Sequence, residues 1–181
     1  MEHKGNYILL TGLLIITLLI SVVGTTFSYF GAANREVKGD TTIQFSNGTL
    51  IYSDPSISGG YVSAGETLVS KKFVLDGSIT SANNLTYKVN LKVDTNTYGE
   101  GSLFYTITAN NTSSNGTTIQ SSTLPVAIPA GESTIEIGGG SFAGPVTDAK
   151  HTYTINVFRG ESGDVPDGAT FSGTFDVTQG S

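Results

Sequence analysis

The sequence predicts an all-β fold: an antiparallel β-sandwich preceded by an N-terminal hydrophobic helix. Three observations predict it. Charged residues are only 13% of the chain, against about a quarter in an average domain. Glycine supplies 23 of the 181 residues, threonine 25 and serine 20, while the strong helix formers Ala, Leu, Glu, Lys and Arg are scarce. Beyond residue 34, apolar and polar residues alternate with a period of two, and no stretch repeats with the 3.6-residue period of an amphipathic helix. β-Branched and aromatic side chains fit a pleated surface, and Gly, Ser and Asn fit the turns between strands.

The chain opens differently. From Tyr7 to Phe30 run 24 residues without a charge, long enough as a helix of about 1.5 Å rise per residue to cross a bilayer of roughly 30 Å. A short polar start with Lys4, an apolar core and a small-residue exit form the layout of a secretory signal. Small residues at the first and third positions before the cut place cleavage after Ser28 or after Ala33. Two other routes keep the helix: an uncleaved membrane anchor, or prepilin-type processing after Gly5 with the helix retained as an assembly stem. Residues 1–33 are thus a signal peptide or membrane anchor, and residues 34–181 form a single β-sandwich domain. The expected location is outside the cell or on its surface, with the membrane met through the N-terminal helix before cleavage.

In the exported part, the clearest strand is Asn84 to Val93. Leu85, Tyr87, Val89, Leu91 and Val93 fall on one face, and Thr86, Lys88, Asn90 and Lys92 on the other. A slip of one residue would bury both lysines, so the facing is strongly specified. Thr42 to Phe45 and Thr49 to Tyr52 read as a hairpin around Asn47-Gly48, a dipeptide suited to a type I′ turn. Leu68 to Leu75 reads as a strand ending in a turn at Asp76-Gly77. Leu103 to Thr108 precedes a polar loop from Asn110 to Gly116. Further strands are expected at Thr117–Val126, Thr134–Ile137, Thr152–Phe158 and Thr170–Val177, with Gly138-Gly139-Gly140 as a flexible connector. About nine strands, each with one apolar face, are buried most simply as two packed sheets.

Composition also excludes functions. With no cysteine, the chain has no disulfide scaffold, thiolate metal site or thiol nucleophile. Only His3 and His151 are available for imidazole chemistry, and His151 stands at a strand entry, where a surface or hydrogen-bonding role is expected. The net charge of −6 argues against a nucleic-acid partner, because phosphate binding needs clustered Lys and Arg. The dense acidic segment Glu161 to Gly168 offers Glu161, Asp164 and Asp167 as candidate oxygen ligands for Ca²⁺, although their spacing is not that of an EF-hand. Asn-x-Ser/Thr sequons begin at Asn47, Asn84, Asn110, Asn111 and Asn115, and matter only in a cell that glycosylates exported proteins. No catalytic or cofactor-binding residue is assigned, and the chain reads as a non-enzyme.

Three stretches together carry a family resemblance. They are Val22-Val23-Gly24-Thr25-Thr26-Phe27-Ser28-Tyr29-Phe30, then Phe45-Ser46-Asn47-Gly48-Thr49-Leu50, then Val62-Ser63-Ala64-Gly65-Glu66-Thr67-Leu68 leading into Phe73-Val74-Leu75. In this order they resemble the TasA/camelysin proteins of Gram-positive bacteria. His151 to Val157 and Gly168 to Gly173 are similar to exported relatives of the same kind. The chain departs from the family in lacking Pro before Gly65, and it has no sortase-type Leu-Pro motif after Val177. The resemblance implies export with a SipW-type signal peptidase and a jelly-roll-like sandwich. It also implies, as in some members, polymerisation into extracellular matrix fibres by passing an N-terminal strand to the next subunit.

The residues supply a matching segment. Residues 34–46 form a strand-prone arm with Ile43 and Phe45 on one face, fit to add to a neighbour's open edge or to fold back as an ordinary edge strand. The expected function is therefore an exported structural or cell-surface protein, a biofilm-matrix or fibre-forming subunit that self-associates. The alternatives are a monomeric surface module for a carbohydrate or host ligand, and a pilin-like subunit retaining its helix.

Overall fold

The computed structural model describes residues 40–53, 55–110, 115–163 and 165–180. The expected signal segment, its cleavage positions Ser28 and Ala33, and Asp164 of the acidic loop lie outside the described residues. The described residues belong to one compact unit, Gly39–Ser181, and contain no helix.

Ten strands build the unit: β1 (Thr41–Phe45), β2 (Gly48–Tyr52), β3 (Ser56–Gly59), β4 (Thr67–Ile79), β5 (Leu85–Asn96), β6 (Leu103–Ala109), β7 (Val126–Ile128), β8 (Ser133–Phe142), β9 (Val146–Arg159) and β10 (Phe171–Gln179). They form a six-stranded sheet ordered β1-β2-β4-β9-β6-β7 and a four-stranded sheet ordered β3-β10-β5-β8. Every pairing is antiparallel. Only the β1–β2 and β6–β7 connections stay within a sheet; every other connection crosses to the opposite one.

The core lies between the sheets. Phe73 of β4 meets Phe175 of β10 at 5.2 Å between ring centroids, and His151 of β9 stacks on Phe142 of β8 at 4.0 Å. On β5 the expected facing is realised: Leu85, Tyr87, Val89, Leu91 and Val93 are all buried, whereas Lys88 is half-buried and Lys92 exposed. Each apolar side chain so buried contributes about 1.5–3 kcal/mol, which holds the register.

Four local expectations are corrected. The β1–β2 turn is Ser46-Asn47, with Phe45 facing Gly48, and none of these residues adopts a positive φ. Gly48 is required for another reason: a Cβ there would lie 2.5 Å from the Ser78 carbonyl oxygen on β4. Asp76-Gly77 is not a turn, because β4 runs on to Ile79 and a Cβ on Gly77 would lie 2.7 Å from the Phe142 ring. The triple glycine is not a connector but part of β8, where Gly140 leaves room for the Tyr87 hydroxyl and the Thr117 carbonyl. Thr117–Val126 is not a strand; it gives one bridge, Thr117 to Ser141, and only Val126 enters β7.

Candidate functional site

An antiparallel sheet ends in strands whose outer backbone groups lack a partner, and such edges are templates for another chain. The two sheets end in β1, β7, β3 and β8. Three of these are blunted. β7 has three residues and stands between Pro125 and Pro129, which cannot donate to a ladder. β3 has four residues and follows Pro55. β8 is longer, but it carries a bulge opposite Val89 and Asn90 and the charge of Glu136, and is capped by Thr117 at Ser141.

The β1 edge has none of these devices. Its five residues, Thr41-Thr42-Ile43-Gln44-Phe45, include no charge and no proline, and they pair with β2 in unbroken register. Thr42 and Gln44 are exposed, while Ile43 and Phe45 are half-buried and packed on the core, with Ile43 opposite the fully buried Leu50. Three side-chain bonds tie the hairpin: Thr49 Oγ1 donates to Gln44 Oε1 at 3.0 Å, Thr41 bonds the hydroxyl of the buried Tyr52, and just outside the strands Ser53 Oγ donates to Asp40 Oδ1. The arm expected from Ile43 and Phe45 is thus an edge strand of its own domain, joined to it through one neighbour.

The other candidate residues are placed apart from this edge. Glu161 and Asp167 are exposed, and among the described residues no three His, Asp or Glu side chains come together as metal ligands. Of the six tyrosines after residue 34, Tyr52, Tyr87, Tyr98, Tyr105 and Tyr153 are buried and Tyr61 is exposed. Of the two roles expected for His151 the structure shows the hydrogen-bonding one, within β9 rather than at a strand entry: fully buried, it lies between the Tyr87 hydroxyl at 2.5 Å from Nδ1 and the Asn115 carbonyl at 2.6 Å from Nε2. Burial lowers its pKa, partly offset by the bond to Asn115, and burial raises those of Tyr87 and Tyr153.

A second surface feature was not expected from sequence. Phe104 and Phe158 stack at 6.1 Å on the outer side of the six-stranded sheet and, with Pro125, Arg159 and Glu161, line a groove of about 290 Å³. Arg159 is held there by donating to the Tyr61 hydroxyl and the Val62 carbonyl, each at 3.1 Å. The alternation on β6 and β9 puts Phe104 and Phe158 opposite the buried Tyr105 and Val157, a signal that could have found them.

Among the described residues the molecule is a two-sheet, all-β protein, and one of its sheet edges is undefended by charge, proline, bulge or cap. Comparison with protein-family models, characterised proteins and solved structures finds no match to the chain.

Proposed function

We propose that this protein is an exported structural subunit of jelly-roll-like architecture, a biofilm-matrix or fibre-forming protein of the cell surface that assembles by donating its N-terminal strand. The observation that carries the reading is β1, among the described residues the one sheet edge without a charge, a proline, a bulge or a cap. Because β1 is paired only with β2 among the described residues, its departure leaves the longer strands paired. A β1 from another copy can then occupy the same place, with Ile43 and Phe45 on the same core and the same backbone bonds to β2. Such an exchange of identical elements changes the contact energy little, while entry of each arm into the next copy gives an open chain of subunits.

The test is assembly of the chain beginning at Asn34 compared with the chain beginning at Asn47. Filaments from the first and none from the second are expected, followed by electron microscopy and sedimentation. If both remain monomeric, the reading fails. The Phe104–Phe158 groove supports a second reading, a monomeric module for a carbohydrate or host ligand, and that outcome would favour it.

A further inference from the structure

Residues 115–122 cross from one sheet to the other as a strap. At one end Thr117 and Ser141 of β8 exchange both backbone bonds, at 2.8 and 2.7 Å, and Ala143 N donates to Asn115 Oδ1 at 2.6 Å. At the other end Ser122 N donates to the Ile107 carbonyl of β6 at 2.8 Å, and Ala109 N donates to Ser121 Oγ at 2.9 Å. Ile119, in the middle, is buried.

The strap is pinned from inside by a chain of bonds with only one direction. The Asn115 carbonyl can only accept, so His151 Nε2 carries the proton and the neutral ring presents Nδ1 as an acceptor. Tyr87 then donates its hydroxyl to Nδ1, Tyr153 donates to Tyr87 at 2.6 Å, and Ile119 N donates to Tyr153 at 3.0 Å. Every polar group of the chain is satisfied while His151 is neutral.

A proton on Nδ1 breaks this arrangement. Nδ1–H must donate to Tyr87, which turns its own hydroxyl toward Tyr153. The Tyr153 oxygen already accepts from Ile119, so its hydroxyl hydrogen is left without an acceptor, beside a buried cation. The groups facing the imidazole are the Tyr87 hydroxyl from β5, the Phe142 ring from β8, the Tyr153 hydroxyl on β9 and the Asn115 carbonyl of the strap; Leu75 of β4 is its partner in the sheet. Burial lowers its pKa and the bond to the Asn115 carbonyl offsets part of that.

The strain falls on the weakest of these attachments. β5, β8 and β9 are strands of 12, 10 and 14 residues, whereas the strap is held at β8 only locally, by the Thr117–Ser141 bridge, the bond between the hydroxyls of the same two residues at 2.6 Å and the Ala143 bond to Asn115. We propose that the strap 115–122 is an acid-opened latch with His151 as its titrating pin, and that opening it uncovers the β8 edge around Ser141. Water reaching the imidazole through the opened strap solvates the charge that the closed core rejects. The latch is independent of strand donation.

The test is amide hydrogen exchange of the full chain from pH 7.5 to 5, corrected for intrinsic rates. The strap reporters are Thr117, Ile119 and Ser141, and the β5 amides of Val89 and Leu91 report global opening. In the open strap His151 has its ordinary pKa of about 6.5, so below that value the strap opening constant rises by up to about tenfold per pH unit. The expected result is opening of the strap amides well before the β5 amides, with that slope, and a flat profile in His151→Gln. The proposal is overturned if the strap opens only with β5 at every pH, or if its opening constant is unchanged between pH 7.5 and 5. Both outcomes are read on the unsubstituted protein, so they hold even where His151→Gln does not fold.

Discussion

The β1–β2 hairpin and the β4–β9 pair belong to the same sheet but are held in different ways. β4 and β9 run beside each other for most of their 13 and 14 residues, and Phe73, Leu75, Tyr153, Ile155 and Val157 are fully buried. β1 contributes five residues, of which Ile43 and Phe45 are half-buried, and among the described residues it has a neighbouring strand on one side only. The centre of the sheet is where the fold is fixed. Its β1 border is held through fewer partners, and that border is where the proposed strand donation would act.

This difference can be broken from its strong side first. Phe73 packs against the rings of Tyr52, Tyr153 and Phe175 at 5.9, 6.4 and 5.2 Å. Phe73→Ala empties that space and is expected to cost about 3–5 kcal/mol in urea unfolding. Ile43→Ala is the matching change at the border. Half-burial scales its cost down to about 1–2 kcal/mol, with an unchanged urea dependence. Equal costs for the two substitutions would mean that β1 is as integral to the fold as β4, and the distinction would fall.

The same contrast explains what the sequence made legible. β5 was readable because one face meets the core and the other is partly in water, so alternation is written into Leu85 to Val93. The β1–β2 hairpin was readable for the same reason, although its turn sits one residue earlier than Asn47-Gly48 suggested. Glycine was misread at Gly77 and at Gly138-Gly139-Gly140. A residue without a side chain carries no periodicity, and what requires it there is the Phe142 ring or the Tyr87 hydroxyl, each far away in the chain. The strap departs from the expected strand because Thr117, Ile119 and the two serines after it bond to three different elements, β8, β9 and β6, rather than to one ladder.

His151 shows the limit most clearly. Its partner Tyr87 lies 64 residues away, so no local pattern announces the bond. One signal was present: His151 is in phase with Tyr153, Ile155 and Val157, the buried face of β9. The β1 edge was legible as a strand-prone arm, but its distinction among sheet edges was not. That distinction depends on β3, β7 and β8 being blunted, which only the topology reveals.

The central claim, that β1 leaves its own β2 to pair with another copy, is tested most directly by tying the two strands together. The chain has no cysteine, and Thr42 and Ile51 are exposed, facing residues of β1 and β2. Antiparallel partners stand about 4.5–5.5 Å apart, within disulfide range. With Thr42→Cys and Ile51→Cys introduced into the chain beginning at Asn34, oxidation of the monomer is predicted to abolish filament growth, and reduction to restore it. Oxidation after assembly is predicted to give a ladder of covalent oligomers. Filaments growing equally well from the oxidised monomer would contradict the account.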